Sequence, residues 1–327
     1  MIVVTGANGF LGNNLVRQLL ADGEQVRCMV RPTSDLRSLA GLDVATVPGD
    51  LTDLDSLVKA FAGAKVVYNL AGVIAIAPGR ERLMADVNWH GAANVAEACL
   101  AAKVERLCHV SSCHALKEPP DSGTFDEQQP FDPDMRMVYG RTKARGSLDV
   151  LSAVRDRGLD AVIGCPTGII GPHDYGPSEM GATFIDFARG RLAAVTPGGY
   201  NFVDVRDVAA GLIALAQRGR TGEYYLVSGE RVEITWLIEQ LTELLGPCSK
   251  PRKLGGTLLY LIADLMALAS RLTGARPRVT RDSVETLMSN SNFSHAKAAA
   301  AVGYTSRPLR ETVSDSVQWL QSTGAIS

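Results

Sequence analysis

Tyr139 and Lys143 stand four residues apart in the stretch VYGRTK. On a helix that spacing brings both side chains to one face, one turn apart. A phenol and an ammonium so placed could pass a proton to or from a substrate oxygen. The unperturbed phenol titrates near 10, and lowering it to about 7–8 takes roughly 3–4 kcal/mol. A cation about 5 Å away, at an effective dielectric near 20, supplies about 3 kcal/mol of that. The pair alone does not establish such chemistry, because the same spacing occurs on ordinary polar helix faces. Its meaning depends on what the rest of the chain would hold beside it.

A second reactant is indicated at the N-terminus. VVTGANGFLGNNL sets Gly6, Gly9 and Gly12 between an apolar strand and an amphipathic helix. Unpaired N–H groups and the positive dipole end of a helix receive phosphate there. Gly6 permits the tight turn, Gly9 leaves room for a pyrophosphate, and Gly12 lets helix and strand pack closely. In this context the spacing predicts dinucleotide binding. Arg31, in MVRPTSDLR, ends the second strand, where an acidic residue would bond the adenosine ribose of NAD. A guanidinium suits a 2′-phosphate instead, so NADP(H) is expected over NAD(H), by roughly ten- to a hundredfold. Arg37 would add a second contact, unless Asp35 pairs with one of the arginines. In GDLTD, Asp50 and Leu51 fall where the adenine would lie.

The elements that must position these residues alternate. MIVVT, EQVRCMVR, DVATVP, AKVVYNLAG, VERLCHVSS and GLDAVIGCP read as strands separated mostly by helices. Continuous apolar strands in that pattern imply a parallel sheet covered on both faces. The expected fold class is α/β: a Rossmann-type doubly wound parallel sheet with a smaller, mostly helical C-terminal substrate lobe. The dinucleotide lobe is expected over 1–165 plus about 201–228, and the substrate lobe over about 166–200 plus 229–327.

Bulk properties narrow the function. The 33 basic and 35 acidic residues nearly cancel, which leaves no basic surplus for nucleic acid. The six cysteines form no CxxC, which predicts buried free thiols in a reducing compartment and no metal site. The N-terminus shows no signal peptide, so a cytoplasmic location is expected. The apolar run at 257–272 is short for a membrane span and is expected as a buried or amphipathic helix.

TGANGFLG, GDLTD, NLAG, VSS and YGRTK, in that order, resemble the extended short-chain dehydrogenase/reductase superfamily, the NAD(P)-dependent epimerase/dehydratase fold. The likeness covers nearly the whole chain. Within the superfamily, VRPTSDLRSLAGLDV, GRTKA and FARGRLAAVTPGGYNFVDVRDVAAG look most like the dihydroflavonol-4-reductase-like group. The resemblance implies a catalytic set of Ser112, Tyr139 and Lys143, with Asn88 helping to order the site. Ser112 is taken over Ser111 from the family's register, and the pleat sends the two to opposite sides. Cofactor contacts are implied for Gly6, Asn8, Gly9, Phe10, Leu11 and Gly12 in the glycine loop, and for Arg31, Asp50 and Leu51 beyond it. Leu70, Ala71 and Gly72, the catalytic Tyr139 and Lys143, and Pro166, Thr167 and Ile169 complete the implied cofactor site.

The implied activity is reduction of a ketone or aldehyde by NADP(H), with Tyr139 as proton donor. A nucleotide-sugar epimerase or dehydratase of the same fold and a non-catalytic NADP(H)-binding regulator are the alternatives. Dehydratases of the superfamily carry an Asp–Glu pair after the active-site hydroxyl, whereas SSCHAL stands here. Epimerases place an arginine before the strand FVDV, and the register puts Tyr200 there. Apolar side chains at Ile74, Tyr175, Met180 and Phe184, with His114 beside Ser112, suit a hydrophobic carbonyl substrate. A homodimer through the helices near 85–102 and 138–157 is expected by analogy.

Overall fold

The computed structural model describes residues 1–74, 79–195, 198–255, 260, 263–266 and 290–326. The apolar segment at 257–272 lies largely outside the described residues.

Apolar strands at the N-terminus build the centre of the sheet. β1 (Ile2–Thr5) is wholly buried and turns through Gly6, in the left-handed region, into α1 (Phe10–Ala21). β2 (Val26–Val30) and β3 (Ala45–Pro48) follow, then α2 (Leu54–Phe61), which Asp53 caps by accepting from the Ser56 amide. β4 (Val66–Asn69) leads to α3 (Glu81–Met84), one π turn at Ala85–His90, and α4 (Gly91–Ala101). β5 (Arg106–Val110), α5 (Val138–Arg157) and β6 (Ala161–Pro166) complete the first half.

Further strands and helices follow β6. β7 (Gly168–Ile170), α6 (Glu179–Ala188), β8 (Ala194–Val195) and β9 (Gly199–Asp204) precede α7 (Val205–Arg218) and β10 (Tyr224–Val227). Then come β11 (Glu230–Glu233), α8 (Ile234–Leu245), β12 (Arg252–Lys253), α9 (Ala296–Val302) and α10 (Leu309–Ser322).

Seven parallel strands form the main sheet in the order β10-β6-β5-β4-β1-β2-β3. Alternate residues serve its two faces. Val3, Val67, Leu107 and Ile163 pack with residues of α2, α4 and α5, while Val4, Tyr68, Cys108 and Val162 pack with α1 and α7. This is the α/β doubly wound arrangement expected from the sequence. A third cluster, including Phe184, Phe187, Tyr200, Leu237 and Val313, fills the smaller helical region.

The strand order reverses between β1 and β4, and the crevice beyond their C-terminal ends is where open α/β sheets take ligands. β9 is not part of the main sheet. It lies between β7 and β11 in a sheet of three, and the chain rejoins the main sheet through α7 and β10. Arg206 ties the end of β9 to α10, reaching Asp204 and Asp315 at 2.6 Å each.

Among the described residues no helix is long and apolar enough to cross a membrane, and no His/Cys/Asp/Glu group is arranged for a metal. Five cysteines are buried and free, and Cys248 is exposed and free.

Candidate active site

At the switch-point crevice the glycine loop packs against the end of β4. A Cβ at Gly6 would stand 2.8 Å from the Ala71 backbone, and one at Gly12 would overlap the Gly6 carbonyl. The space these missing side chains leave fits a dinucleotide approaching the backbone at the start of α1. Phe10 and Leu11 open that helix. Asn8 donates to the Asp35 carbonyl at 3.1 Å and accepts from Ser38 at 2.9 Å, which docks the turn after β2 onto the loop.

In that turn Asp35 holds Arg37 at 2.7 Å. Asp50 accepts from the Thr52 amide at 2.9 Å and from its hydroxyl at 2.7 Å, and these bonds, with the attraction of Arg31, keep its carboxyl below the usual range. Leu51 is buried, and its carbonyl accepts from Asn94 at 2.8 Å.

The second group of residues meets around the start of α5. Ser112 follows β5 and caps a short turn, its hydroxyl accepting from the His114 amide at 3.2 Å. Tyr139 and Lys143 occupy the first two turns of α5. A Cβ at Gly140 would overlap the His114 carbonyl, and one at Gly146 would overlap that of Asn88. These two glycines let α5 approach closely enough to bring Tyr139 to Ser112 and Lys143 to Asn88.

The Lys143 ammonium donates to the Val110 carbonyl at 2.9 Å, and burial pushes it down to about 8. Burial pushes the Tyr139 phenol up to about 12, opposed by its hydrogen bond with Ser112. The lowered phenol expected from the sequence is therefore not a property of the protein alone, because burial of the phenol outweighs what Lys143 and Ser112 offer it. Additional positive charge at the site must bring the phenol down.

Asn88 lies in the π turn and clamps the backbone of Val73 from both sides, accepting at 2.8 Å and donating at 2.9 Å. Gly72 keeps the space beside it open. A Cβ there would sit 3.1 Å from the Lys143 ammonium and 3.3 Å from Asn88 Oδ1. Leu70 and Ala71 continue from β4 into this segment. Pro166 ends β6, Thr167 donates to Asn201 at 2.7 Å, and Ile169 pairs with Val203. Ser111, as the pleat requires, points away from Ser112 and bonds Ser147 at 2.7 Å.

The expected substrate residues divide. His114 stands beside Ser112, and Ile74 is 69% exposed on the loop that Asn88 anchors. Tyr175, Met180 and Phe184 gather elsewhere. Tyr175 packs edge-on to Trp319 at 5.4 Å, and Met180 and Phe184 line a small cavity with Trp319 and Leu320. Phe184 is 2% exposed and serves the core.

Two polar chains lay beyond sequence reasoning. Thr5 donates to Asn69 at 2.7 Å, and Asn69 Nδ2 lies 3.0 Å from His109 Nδ1, across three neighbouring strands under α5. Tyr200 brings its hydroxyl to 2.7 Å from His114 Nε2 and 3.4 Å from Cys113 Sγ. Only strand register could have signalled the first, and nothing local could have signalled the second.

Residues 2–228 match the profile of a family described as "NAD dependent epimerase/dehydratase family". The chain is 36% identical to sterol demethylase protein B of Methylococcus capsulatus, over 99% of each chain. It is 30% identical to a putative dihydroflavonol 4-reductase of Synechocystis, over 99% of this chain and 95% of the relative. A 3beta-hydroxysteroid-dehydrogenase/decarboxylase of Arabidopsis thaliana is 29% identical over 95% of this chain and 77% of its own.

Among solved structures, that of gox2253 superposes with a TM-score of 0.86 at 33% identity, covering 100% of this chain and 99% of that one. A nucleoside-diphosphate-sugar epimerase from Pseudomonas aeruginosa gives 0.77 at 25% identity, with 100% and 99% coverage.

These comparisons correct the expected preference for NADP(H). The matching family is described as NAD dependent. DesIV, a dTDP-glucose 4,6-dehydratase from Streptomyces venezuelae, carries NAD in its crystal structure and shares this fold, with a TM-score of 0.79 at 21% identity and coverage of 98% and 97%. The physical reason lies just beyond the ends of β2 and β3. Arg37 is paired with Asp35, and Arg31 is near enough to Asp50 to favour its charged form, so both guanidiniums that favoured a 2′-phosphate have carboxylates beside them.

Proposed function

Because the chain belongs to the NAD dependent epimerase/dehydratase family, we propose that it is an NAD-dependent dehydrogenase that reversibly oxidises a secondary alcohol on an apolar, sterol-like substrate to the ketone. NAD, when bound, supplies the hydride acceptor and the positive charge of the oxidised nicotinamide. Tyr139, as phenolate, would take the proton from the hydroxyl oxygen as the carbinol carbon gives up its hydride to the acceptor and C=O forms, and in the reverse direction the phenol would return that proton. Ser112 orients the substrate oxygen. Lys143 helps hold the phenolate and the nicotinamide ribose, and Asn88 fixes the loop through Val73 and Gly72 beside them.

The observation that carries this reading is the neutral wall facing Tyr139. Tyr200 and His114 stack at 5.7 Å with 13° between their planes, where a sugar-nucleotide enzyme would present a cation to a diphosphate. Burial pushes His114 down to about 4, so it adds no charge at neutral pH. The relatives named for sterol and hydroxysteroid chemistry support an apolar alcohol, and the Synechocystis relative supports the dihydroflavonol-4-reductase-like likeness.

The epimerase or dehydratase reading is favoured by the family's description and by the names of solved structures with this fold. Both readings share the first oxidation at Tyr139 and part at its outcome. The test offers the protein NAD with 3-hydroxysteroids in one series and UDP- and dTDP-sugars in another. The dehydrogenase reading expects reduced nicotinamide to accumulate with the steroids. Product from a sugar nucleotide without net reduction of NAD would replace it with the second reading.

A further inference from the structure

We propose that His114 is a specificity-determining residue, offering its Nδ1–H to a second acceptor oxygen of the substrate close to the oxygen handled by Tyr139. The inference rests on the dehydrogenase reading and deepens it.

Three side chains beside the reactive pair share their hydrogens. Tyr200, 5% exposed on β9, places its hydroxyl 2.7 Å from His114 Nε2 and 3.4 Å from Cys113 Sγ. Burial pushes the Cys113 thiol up to about 11, so it keeps its hydrogen at neutral pH. The His114 ring, being neutral, carries one hydrogen. An imidazole nitrogen accepts far better than a thiol sulfur. The favoured arrangement therefore runs from Cys113 S–H to the Tyr200 oxygen and from Tyr200 O–H to His114 Nε2. That assigns the His114 hydrogen to Nδ1.

Nδ1 has no partner among the described residues, and it is not one of the buried polar atoms left without a partner. The ring is packed by Tyr200 and lies edge-on to Tyr139 at 6.4 Å, yet stays partly exposed. Its backbone amide bonds Ser112. A single uncharged donor thus stands beside the reactive pair. Such a donor suits an uncharged carbonyl oxygen near the reacting one, and gives neither a carboxylate nor a diphosphate a counter-charge. The class of substrate implied is a 3-hydroxy or 3-oxo acyl group on an apolar body.

Two measurements test this. In the ¹⁵N-histidine NMR spectrum, His114 should appear as the Nδ1–H tautomer, and Tyr200→Phe should release it toward Nε2–H. An Nε2–H tautomer in the wild type overturns the assignment. In kinetics with NAD, a 3-hydroxy acyl ester is compared with a secondary alcohol of the same skeleton lacking the second oxygen. The wild type should favour the ester, and His114→Phe should lower the ratio of their kcat/KM by roughly tenfold. Because the readout is a ratio, general damage to the site cancels. A wild type without the preference, or a ratio unchanged in the variant, overturns the inference and leaves the dehydrogenase reading standing. Oxidation of neither alcohol overturns both.

Discussion

Lys143 holds its ammonium 2.9 Å from the carbonyl of Val110, the last residue of the strand that leads to Ser112. The side chain is 4% exposed, and burial lowers it from 10.5 to about 8. Between these values the unfolded chain binds the proton more than the native one does, so this group adds stability as pH rises. The rise amounts to about 3 kcal/mol by the top of the window. Lys143→Met lacks it. The stability of the variant relative to wild type, from urea unfolding without cofactor, should therefore fall between pH 8 and 10.5. A constant difference would show that the ammonium is not desolvated as described.

Tyr139→Phe should keep NAD binding within a fewfold of wild type and lower turnover by about 10²–10⁴. Fluorescence titration of NADH measures the first and steady-state kinetics the second. Turnover near the wild-type rate would remove Tyr139 from the proton transfer.

Gly140→Ala brings a methyl group into the His114 carbonyl and the Met135 sulfur. The overlap should cost about 1–3 kcal/mol, lowering Tm by roughly 2–4 °C for each kcal/mol in a chain of this size or somewhat smaller. It should also cut turnover, because α5 must retreat from Ser112. A variant of unchanged Tm and rate would contradict the close approach of helix and turn.

NADH should bind more tightly than NADPH, by about tenfold or more, since a 2′-phosphate would need Arg37, which Asp35 already engages, and would meet the charge of Asp50 beside Arg31. Competitive titration with the two cofactors reads the ratio directly. Equal affinities would mean that the Asp35–Arg37 pair opens at no cost.

The elements that carry these residues were legible because each announces itself locally. β1, β4, β5 and β6 are continuous apolar runs, Gly6 and Gly12 mark a turn that no larger residue fits, and the spacing of Tyr139 and Lys143 marks a helix face. Less visible were features made by residues far apart. Tyr200 meets His114 across 86 positions and between two sheets, and Thr5, Asn69 and His109 align only once three strands are in register. Arg31 suggested a phosphate site because Asp50 comes near it only once β2 and β3 pair, and Asp35 engages Arg37 only once the turn after β2 folds. Tyr175 and Phe184 suggested substrate walls because an apolar side chain reads alike whether it faces a ligand or, like Phe184, the core.

The most direct test of the central claim follows one hydrogen. A 3-hydroxysteroid deuterated at the carbinol carbon is incubated with the protein and NAD. The account predicts ketone and reduced nicotinamide in equal amounts, with the deuterium on the nicotinamide. Deuterium that returns to the substrate with its configuration inverted, and no accumulated reduced cofactor, would contradict it and make the protein an epimerase.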